Sequence, residues 1–194
     1  ILLELINDTL TLSKISSGKL SLHLQPIDSN TLTAPITIPL RGAAEQKNIS
    51  FILDDHTRRR RIMADTLNAQ KILLNLLSNA IKYTPSGGHI RFTIENDPPD
   101  APNPDTVYTI QDDGIGIPAD FLPHIYDPFV QENRTGTKTT GTGLGLAIVK
   151  QLIELMGGSI QVKSRLNEGT TFIVRLHFEE LPPLEPETTE KKKA

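Results

Sequence analysis

The stretch that most constrains this chain is a helix predicted for residues 66–84, which carries a polar stripe along one side. The breaker Pro85-Ser86-Gly87-Gly88 closes it. Its apolar side is predicted to consist of Leu67, Leu73, Leu74, Leu77, Ala80 and Ile81, and its stripe of Asn68, Lys71, Asn75, Asn79 and Lys82. Residues three or four apart share one helical face. Such a stripe is usually solvated, but amides and an amine one turn apart can also hold a hydrated metal ion and the phosphates that it neutralises.

The composition excludes several classes of protein. The chain has 194 residues, a net charge of −3 and a pI of about 6.0, so we expect no nucleic-acid partner despite the basic run at 58–61. There are no cysteines, which rules out disulfides and thiolate metal sites. No apolar run has the length of a membrane helix. Because the chain lacks an initial Met and starts within a helical pattern, we expect a fragment of a longer protein. We expect that protein to work in the cytoplasm, and whether it is anchored to a membrane stays open.

The N-terminal segment, residues 1–22, is predicted to be a helix whose strong periodicity ends at Ser16-Ser17-Gly18. Its apolar stripe consists of Leu2, Leu3, Leu5, Ile6, Leu10 and Leu12. Since a terminal helix with a wide apolar stripe needs a partner helix, we expect the partner to be another copy or a segment upstream. Residues 29–48 should contain a second helix, with regular geometry only from Pro39 because internal prolines remove hydrogen bonds.

Alternating side chains predict strands in the rest of the chain. The predicted strands are 20–24, 49–53, 61–65, 89–95, 106–111 and the hairpin 159–164 with 170–178. From Glu179 onward, Pro, Glu, Thr and Lys dominate, and this composition predicts a tail or linker.

Two glycine-rich loops follow the central helix. The first glycine loop, residues 112–118, comes directly after a strand, and its glycines allow close approach to a ligand. The second glycine loop, residues 140–146, opens a helix, where exposed backbone N–H groups bind phosphate. A dinucleotide-binding fold is disfavoured because no strand ends immediately before the second loop. Between the loops, the polar residues 131–140 predict a mobile lid.

Four motifs in this order resemble the N, G1, F and G2 boxes of sensor histidine kinases from two-component systems. They are Asn75…Asn79-Ala-x-Lys82-Tyr83, Asp112-x-Gly114-x-Gly116, Asp127-Pro128-Phe129 and Gly141-x-Gly143-Leu-Gly145-Leu. These kinases belong to the Bergerat-fold (GHKL) ATPase superfamily, shared with gyrase and mismatch-repair proteins. The likeness covers residues 28–178. Residues 1–24 resemble the end of the family's dimerisation and phosphoacceptor hairpin, which leaves 179–194 as the tail.

The resemblance implies a site for ATP and Mg²⁺. Asn79 would be the metal ligand, with Asn75 assisting and Lys82 meeting the phosphates; these three would be the catalytic residues. Asp112 would accept a hydrogen bond from the adenine amino group, and Arg134 or Lys138 would reach the γ-phosphate from the lid. Further nucleotide contacts would come from Tyr83, Gly114, Gly116, Ile117, Phe129, Gly141, Thr142, Gly143, Leu144, Gly145 and Leu146. For Phe129 and Tyr83, plain core packing is the alternative.

The resemblance also implies phosphoryl transfer rather than hydrolysis. Hydrolysing members of the superfamily carry a Glu one turn before the metal-binding Asn, where this chain has Asn75. An amide cannot take a proton at neutral pH, so water would lack a general base. The acceptor would be a histidine in a motif that none of His23, His56, His89, His124 and His177 begins. Implied partners are that missing acceptor helix, a second copy bound through the N-terminal helix, and a response-regulator receiver domain.

We therefore expect an α/β two-layer sandwich, with a mixed, largely antiparallel sheet, helices on one face and a preceding dimerisation helix. Two other functions stay open. A serine kinase that inhibits sigma factors would share the ATP site but would not explain the apolar stripe of residues 1–22. A nucleotide-gated interaction module without catalysis is opposed by the intact Asn79, Asp112 and glycine loops.

Overall fold

The computed structural model describes residues 2–58, 60–98, 104–131 and 141–183. Within them the helices are α1 (Leu2–Ser16), α2 (Ala34–Gln46), α3 (Thr66–Tyr83) and α4 (Gly145–Leu155). The strands are β1 (Gln25–Asp28), β2 (Ser50–Asp55), β3 (Arg61–Ala64), β4 (His89–Asn96), β5 (Asp105–Asp112), β6 (Ser159–Arg165), β7 (Gly169–His177) and β8 (Glu179–Leu181). Short 3₁₀ turns lie at Ser29–Thr31 and Leu122–His124.

The main sheet has five strands in the order β2-β4-β5-β7-β6. Only β2 and β4 pair in parallel, and the other pairs are antiparallel. One face is buried: Ile90, Phe92 and Ile94 of β4 share it with Phe172 and Val174 of β7. The helices α2, α3 and α4 pack against this face and against one another. The predicted two-layer α/β fold is therefore confirmed.

Helix α3 is fixed at both ends by side chains. The Asp65 carboxylate caps its start, accepting hydrogen bonds from the Asn68 backbone N–H at 3.0 Å and the Asn68 side chain at 2.8 Å. The same carboxylate accepts the backbone N–H of His23 at 2.9 Å, which ties the segment after α1 to the start of α3. At the other end, the Lys47 ammonium lies 2.7–2.9 Å from the carbonyl oxygens of Ile81, Lys82 and Thr84.

The buried side of α3 differs from the predicted one. Its core residues are Ala69, Ile72, Leu73, Leu76, Leu77 and Ala80. Leu67 is 80% exposed and Leu74 is 44% exposed, so their assignment to the apolar face was wrong. The core face is rotated toward Ala69 and Ile72, which brings Asn75 and Asn79 to its half-buried border.

Three predicted boundaries are also wrong. Helix α2 begins at Ala34, not near Pro39, because Pro35 lies in the first turn, where a missing N–H costs no hydrogen bond. Residues 20–24 are not a strand; β1 begins at Gln25 and pairs with β3. The predicted tail from Glu179 begins with strand β8, whose backbone pairs with the free edge of β3.

Helix α1 packs against the rest of the chain instead of projecting from it. Leu5, Leu12 and Ile15 contact the core, and the helix lies against α4. The expectation that another copy or an upstream segment covers the apolar stripe is therefore wrong for this side. The other side, with Leu2, Leu3, Ile6 and Leu10, remains 48–72% exposed.

Candidate functional site

An open cavity of about 310 Å³ lies between α3, the end of β5 and the two glycine loops. Of the predicted site residues, it is lined by Asn75, Asn79, Lys82, Tyr83, Asp112, Gly116, Ile117, Gly141, Thr142, Gly143, Gly145 and Leu146. Three motifs that are far apart in sequence thus meet at one site. The volume falls within the range typical of small-molecule sites.

One end of the cavity holds a buried carboxylate. Asp112 is the last residue of β5, is 8% exposed, and accepts the Gly114 backbone N–H at 2.9 Å. Burial raises the pKa of the Asp112 carboxyl above its usual range, while hydrogen bonds from Gly114 and Thr170 oppose the rise. A buried acceptor of this kind is suited to a ligand N–H group.

The first glycine loop is held against the β6–β7 hairpin. Asn167 donates its backbone N–H to the Ile115 carbonyl at 2.8 Å, and Ile117 donates to the Ser164 hydroxyl at 2.8 Å. Gly116 has φ +66°, and a Cβ there would lie 1.9 Å from the Arg165 carbonyl oxygen. Only glycine fits this position, and the tight packing fixes the loop that forms the wall beside Asp112.

The second glycine loop is braced by Phe129 and by Gln131, the first residue of the predicted lid. Phe129 donates its backbone N–H to the Gly143 carbonyl at 2.9 Å, and the Gln131 side chain donates to the Gly141 carbonyl at 2.8 Å. The Thr142 hydroxyl accepts the Leu144 backbone N–H at 3.2 Å, one residue before α4 begins. The loop therefore presents the start of α4 to the cavity.

The polar stripe of α3 faces this loop. A Cβ added to Gly145 would lie 2.7 Å from the Asn75 side-chain oxygen, and one added to Gly141 would lie 3.2 Å from the Lys82 amine. The Lys82 amine also lies 4.8 Å from the Tyr83 ring centroid. Among the described residues no group of three carboxylates or imidazoles could hold a metal. The side chains of Asn75 and Asn79 bring amide oxygens to this end of the cavity.

Three of the predicted site residues that the structure describes do not line the cavity. Gly114 is a buried residue of the first glycine loop, and Leu144 is fully buried in the core. The Phe129 side chain is 65% exposed, so it packs neither in the core nor against the cavity, and only its backbone braces the second loop. Arg134 and Lys138, with lid residues 132–140, lie outside the described residues.

Sequence reasoning missed two groups of residues. Asp8 of α1 lines the cavity, as do Phe121, Ile125, Val130, Thr170 and Phe172. Lys47 supports α3 from outside the cavity. Nothing local marks these residues, because each contact joins segments far apart in the chain.

We expect Lys47→Met to lower the stability of the fold by about 1–3 kcal/mol, because three carbonyls at the end of α3 lose a charged donor. For a domain of this size that corresponds to about 2–4 °C of Tm per kcal/mol. Thermal and urea unfolding would measure it. Lys163→Met, which removes an exposed lysine from β6, is the matched control and should change little. Equal effects of the two variants would contradict the role assigned to Lys47.

We expect Asp112→Asn to raise the Tm at neutral pH. Because the folded pKa of Asp112 is raised, its ionised form opposes folding, and this cost disappears as the pH falls through the folded pKa. Asp113→Asn should instead lower the Tm at neutral pH. Burial alone would raise the pKa of Asp113, but hydrogen bonds from the His89 backbone and ring outweigh it and lower that pKa. Asp113 therefore stabilises the fold above the unfolded pKa. Melting curves between pH 4 and 8 compare the pair, and a lower Tm for Asp112→Asn at pH 7 would contradict the prediction.

Residues 64–180 match the family described as histidine kinase-, DNA gyrase B-, and HSP90-like ATPase, so the chain belongs to this family. It is an ATPase domain of the type found in histidine kinases. It is 38% identical over 178 residues to the autoinducer 2 sensor kinase/phosphatase LuxQ of Vibrio parahaemolyticus, covering 90% of this chain and 21% of LuxQ. It is 36% identical over 189 residues to the circadian input-output histidine kinase CikA of Synechococcus elongatus, covering 95% of this chain and 24% of CikA. The chain thus spans a fifth to a quarter of these relatives.

Solved structures agree with this assignment. Full-length ShkA in complex with AMPPNP matches with a TM-score of 0.79 at 29% identity, covering 94% of this chain and 37% of ShkA. The catalytic domain of histidine kinase ThkA matches with a TM-score of 0.67 at 27% identity, covering 80% of this chain and 96% of the ThkA domain. Among the described residues, no helix is both long and apolar enough to cross a membrane.

Proposed function

We propose that this chain is the catalytic part of a sensor histidine kinase, which binds Mg·ATP and donates its γ-phosphoryl group to a histidine for relay to a response regulator. The observation that carries the proposal is the cavity with two chemically different ends. A buried carboxylate lies at one end, and an amine, two amides and a glycine loop lie at the other.

The Asp112 end suits adenine. Its carboxylate accepts the exocyclic amino group, whereas guanine presents a carbonyl at that position and would oppose it. The apolar walls formed by Ile117, Ile125 and Phe172 contact the flat faces of the base. The side chain of Tyr83, 36% exposed at the cavity edge, lies against the nucleotide.

The other end suits a triphosphate. The second glycine loop supplies backbone donors at the start of α4, and Lys82 supplies a point charge close to Gly141. The amide oxygens of Asn79 and Asn75 fit Mg²⁺, a hard cation that takes few protein ligands and completes its shell with phosphate and water. When bound, Mg²⁺ supplies neutralisation of the charge that builds up between the β- and γ-phosphates.

The side chain at position 75 favours transfer over hydrolysis. Asn75 donates its amide to the Lys71 carbonyl at 3.0 Å, and an amide has no basic lone pair with which to take a proton from water. Positioning and charge neutralisation are sufficient for phosphoryl transfer to an imidazole, which is itself the nucleophile.

The acceptor histidine lies on a separate helix. His23, His56, His89, His124 and His177 are all exposed, and none lines the cavity. The exposed side of α1, with Leu3, Ile6 and Leu10, suits pairing with that helix and with a second copy of the protein. The homodimer, the acceptor helix and the receiver domain of a response regulator are parts of this proposal.

Labelled ATP tests the proposal. The 194-residue chain with Mg²⁺ and γ-labelled ATP should give no acid-labile phosphoprotein, because it lacks an acceptor. A longer form of the protein with a candidate acceptor helix should become labelled, and its Asn79→Ala variant should not. Strong labelling of the 194-residue chain would overturn the assignment of the acceptor, and absence of ATP binding in calorimetry would overturn the function itself.

A further inference from the structure

A carboxylate from α1 reaches into the cavity beside the second glycine loop. Asp8 accepts a hydrogen bond from the Thr142 hydroxyl at 3.1 Å. It also lies 3.6 Å from the Lys71 amine of α3, with 15% of its side chain exposed. The Lys71 amine in turn donates to the Thr11 hydroxyl, one turn further along α1, at 3.2 Å. These contacts join α1 to both elements that form the triphosphate end of the proposed site.

The charge of Asp8 opposes the proposed ligand. Thr142 is in the loop whose donors would meet the phosphates, and its hydroxyl is already given to a carboxylate. A triphosphate placed there would lie beside a second anion in a partly desolvated cavity, where like charges repel more strongly than in water. Lys71 balances Asp8 only while α1 stays in place.

We propose that the second glycine loop is a shared binding surface, for which helix α1 of this chain competes with a nucleoside triphosphate through Asp8. This inference rests on the proposed function of the cavity. Leu5, Leu12 and Ile15 hold α1 against the core, and Asp8 makes that docked position unfavourable once phosphate arrives. By linkage, the triphosphate weakens α1 docking by the same factor that docking weakens triphosphate binding.

Removing the charge tests the competition. We expect Asp8→Asn to bind ATP about threefold to tenfold more tightly, the range for a partly screened like-charge pair. Adenosine, which has no phosphates, should bind both chains equally. The gain should shrink as salt is raised, because screening weakens the repulsion in the parent chain. Glu45→Gln removes one negative charge from the exposed side of α2 and is the matched control.

A second variant separates docking from charge. Leu12→Ala removes an apolar contact of α1 and should tighten ATP binding while Asp8 is present, but add little in the Asp8→Asn chain. Hydrogen exchange should show faster exchange in residues 2–16 on adding ATP, because a released helix of this length is marginal in water. This increase should be smaller in Asp8→Asn.

Two results would overturn the inference while leaving the proposed function intact. ATP affinity that is unchanged in Asp8→Asn but still lost in Asn79→Ala would show that Asp8 does not compete. Weaker ATP binding in Asp8→Asn would show that Asp8 assists the cation instead. If the parent chain binds no ATP, the proposed function fails together with the inference.

Discussion

Asn79→Ala is expected to lower the affinity for Mg·ATP by about tenfold to a hundredfold or more, since even indirect supports of a metal site cost that much when removed. The variant loses the amide oxygen assigned to Mg²⁺ but keeps the buried face of α3, because Asn79 lies on its half-buried border. Isothermal calorimetry with and without Mg²⁺ measures the change. The loss should be confined to the Mg²⁺-dependent part of the affinity.

Gln70→Ala is the matched control for Asn79. Gln70 is another amide on α3, but its side chain bonds to the Thr31 carbonyl and does not line the cavity. It should leave Mg·ATP binding unchanged. Unchanged binding in Asn79→Ala would exclude Asn79 as the metal ligand.

Asp112→Ala is expected to weaken ATP binding by about tenfold to a hundredfold, or about 1–3 kcal/mol, because adenine loses a buried hydrogen-bond partner. The preference for ATP over GTP should fall at the same time, since the carboxylate that opposes the guanine carbonyl is gone. Competition binding with the two triphosphates measures both effects. The fold should be retained, because removing the raised-pKa carboxylate also removes a cost of burial.

Asp113→Ala is the control that changes the first glycine loop without removing the carboxylate proposed to bind adenine. Asp113 is the neighbouring carboxylate in the first glycine loop, but it is exposed, pairs with His89 at 2.8 Å and does not line the cavity. It should lower stability and leave nucleotide selectivity unchanged. Equal ATP affinity in the parent chain and in Asp112→Ala would show that Asp112 only shapes the turn and does not bind the nucleotide.

Much of the site could be predicted because its parts are local in sequence. Spacing by three and four placed Asn75, Asn79 and Lys82 on one side of α3, and Gly143 and Gly145 marked the start of α4. Alternation placed Ile90, Phe92 and Ile94 on the buried face of β4. Each of these inferences needed only neighbours within a turn or a strand.

The rest depended on contacts between distant segments. Thr142 and Asp8 are 134 positions apart, and Lys47 and Ile81 are 34 positions apart. No local pattern announces such pairs, because tertiary packing decides which polar groups meet. The same holds for Leu67 and Leu74, whose exposure follows from how α3 rotates against its neighbours. Strand β8 was missed since its three residues gain their order from the edge of β3.

The hydrogen bond between the His23 backbone and Asp65 limits how far α1 can move from the domain. While that bond is intact, only residues 17–22 separate the end of the helix from a fixed point on the domain. Six extended residues span about 20–22 Å, so the C-terminal end of a released α1 stays within about that distance of His23. A helix on so short a connection explores a small volume and docks against the core again often. The same Asp65 carboxylate caps α3. A pull on residues 17–22 would therefore act first on the start of the helix that carries Asn75 and Asn79.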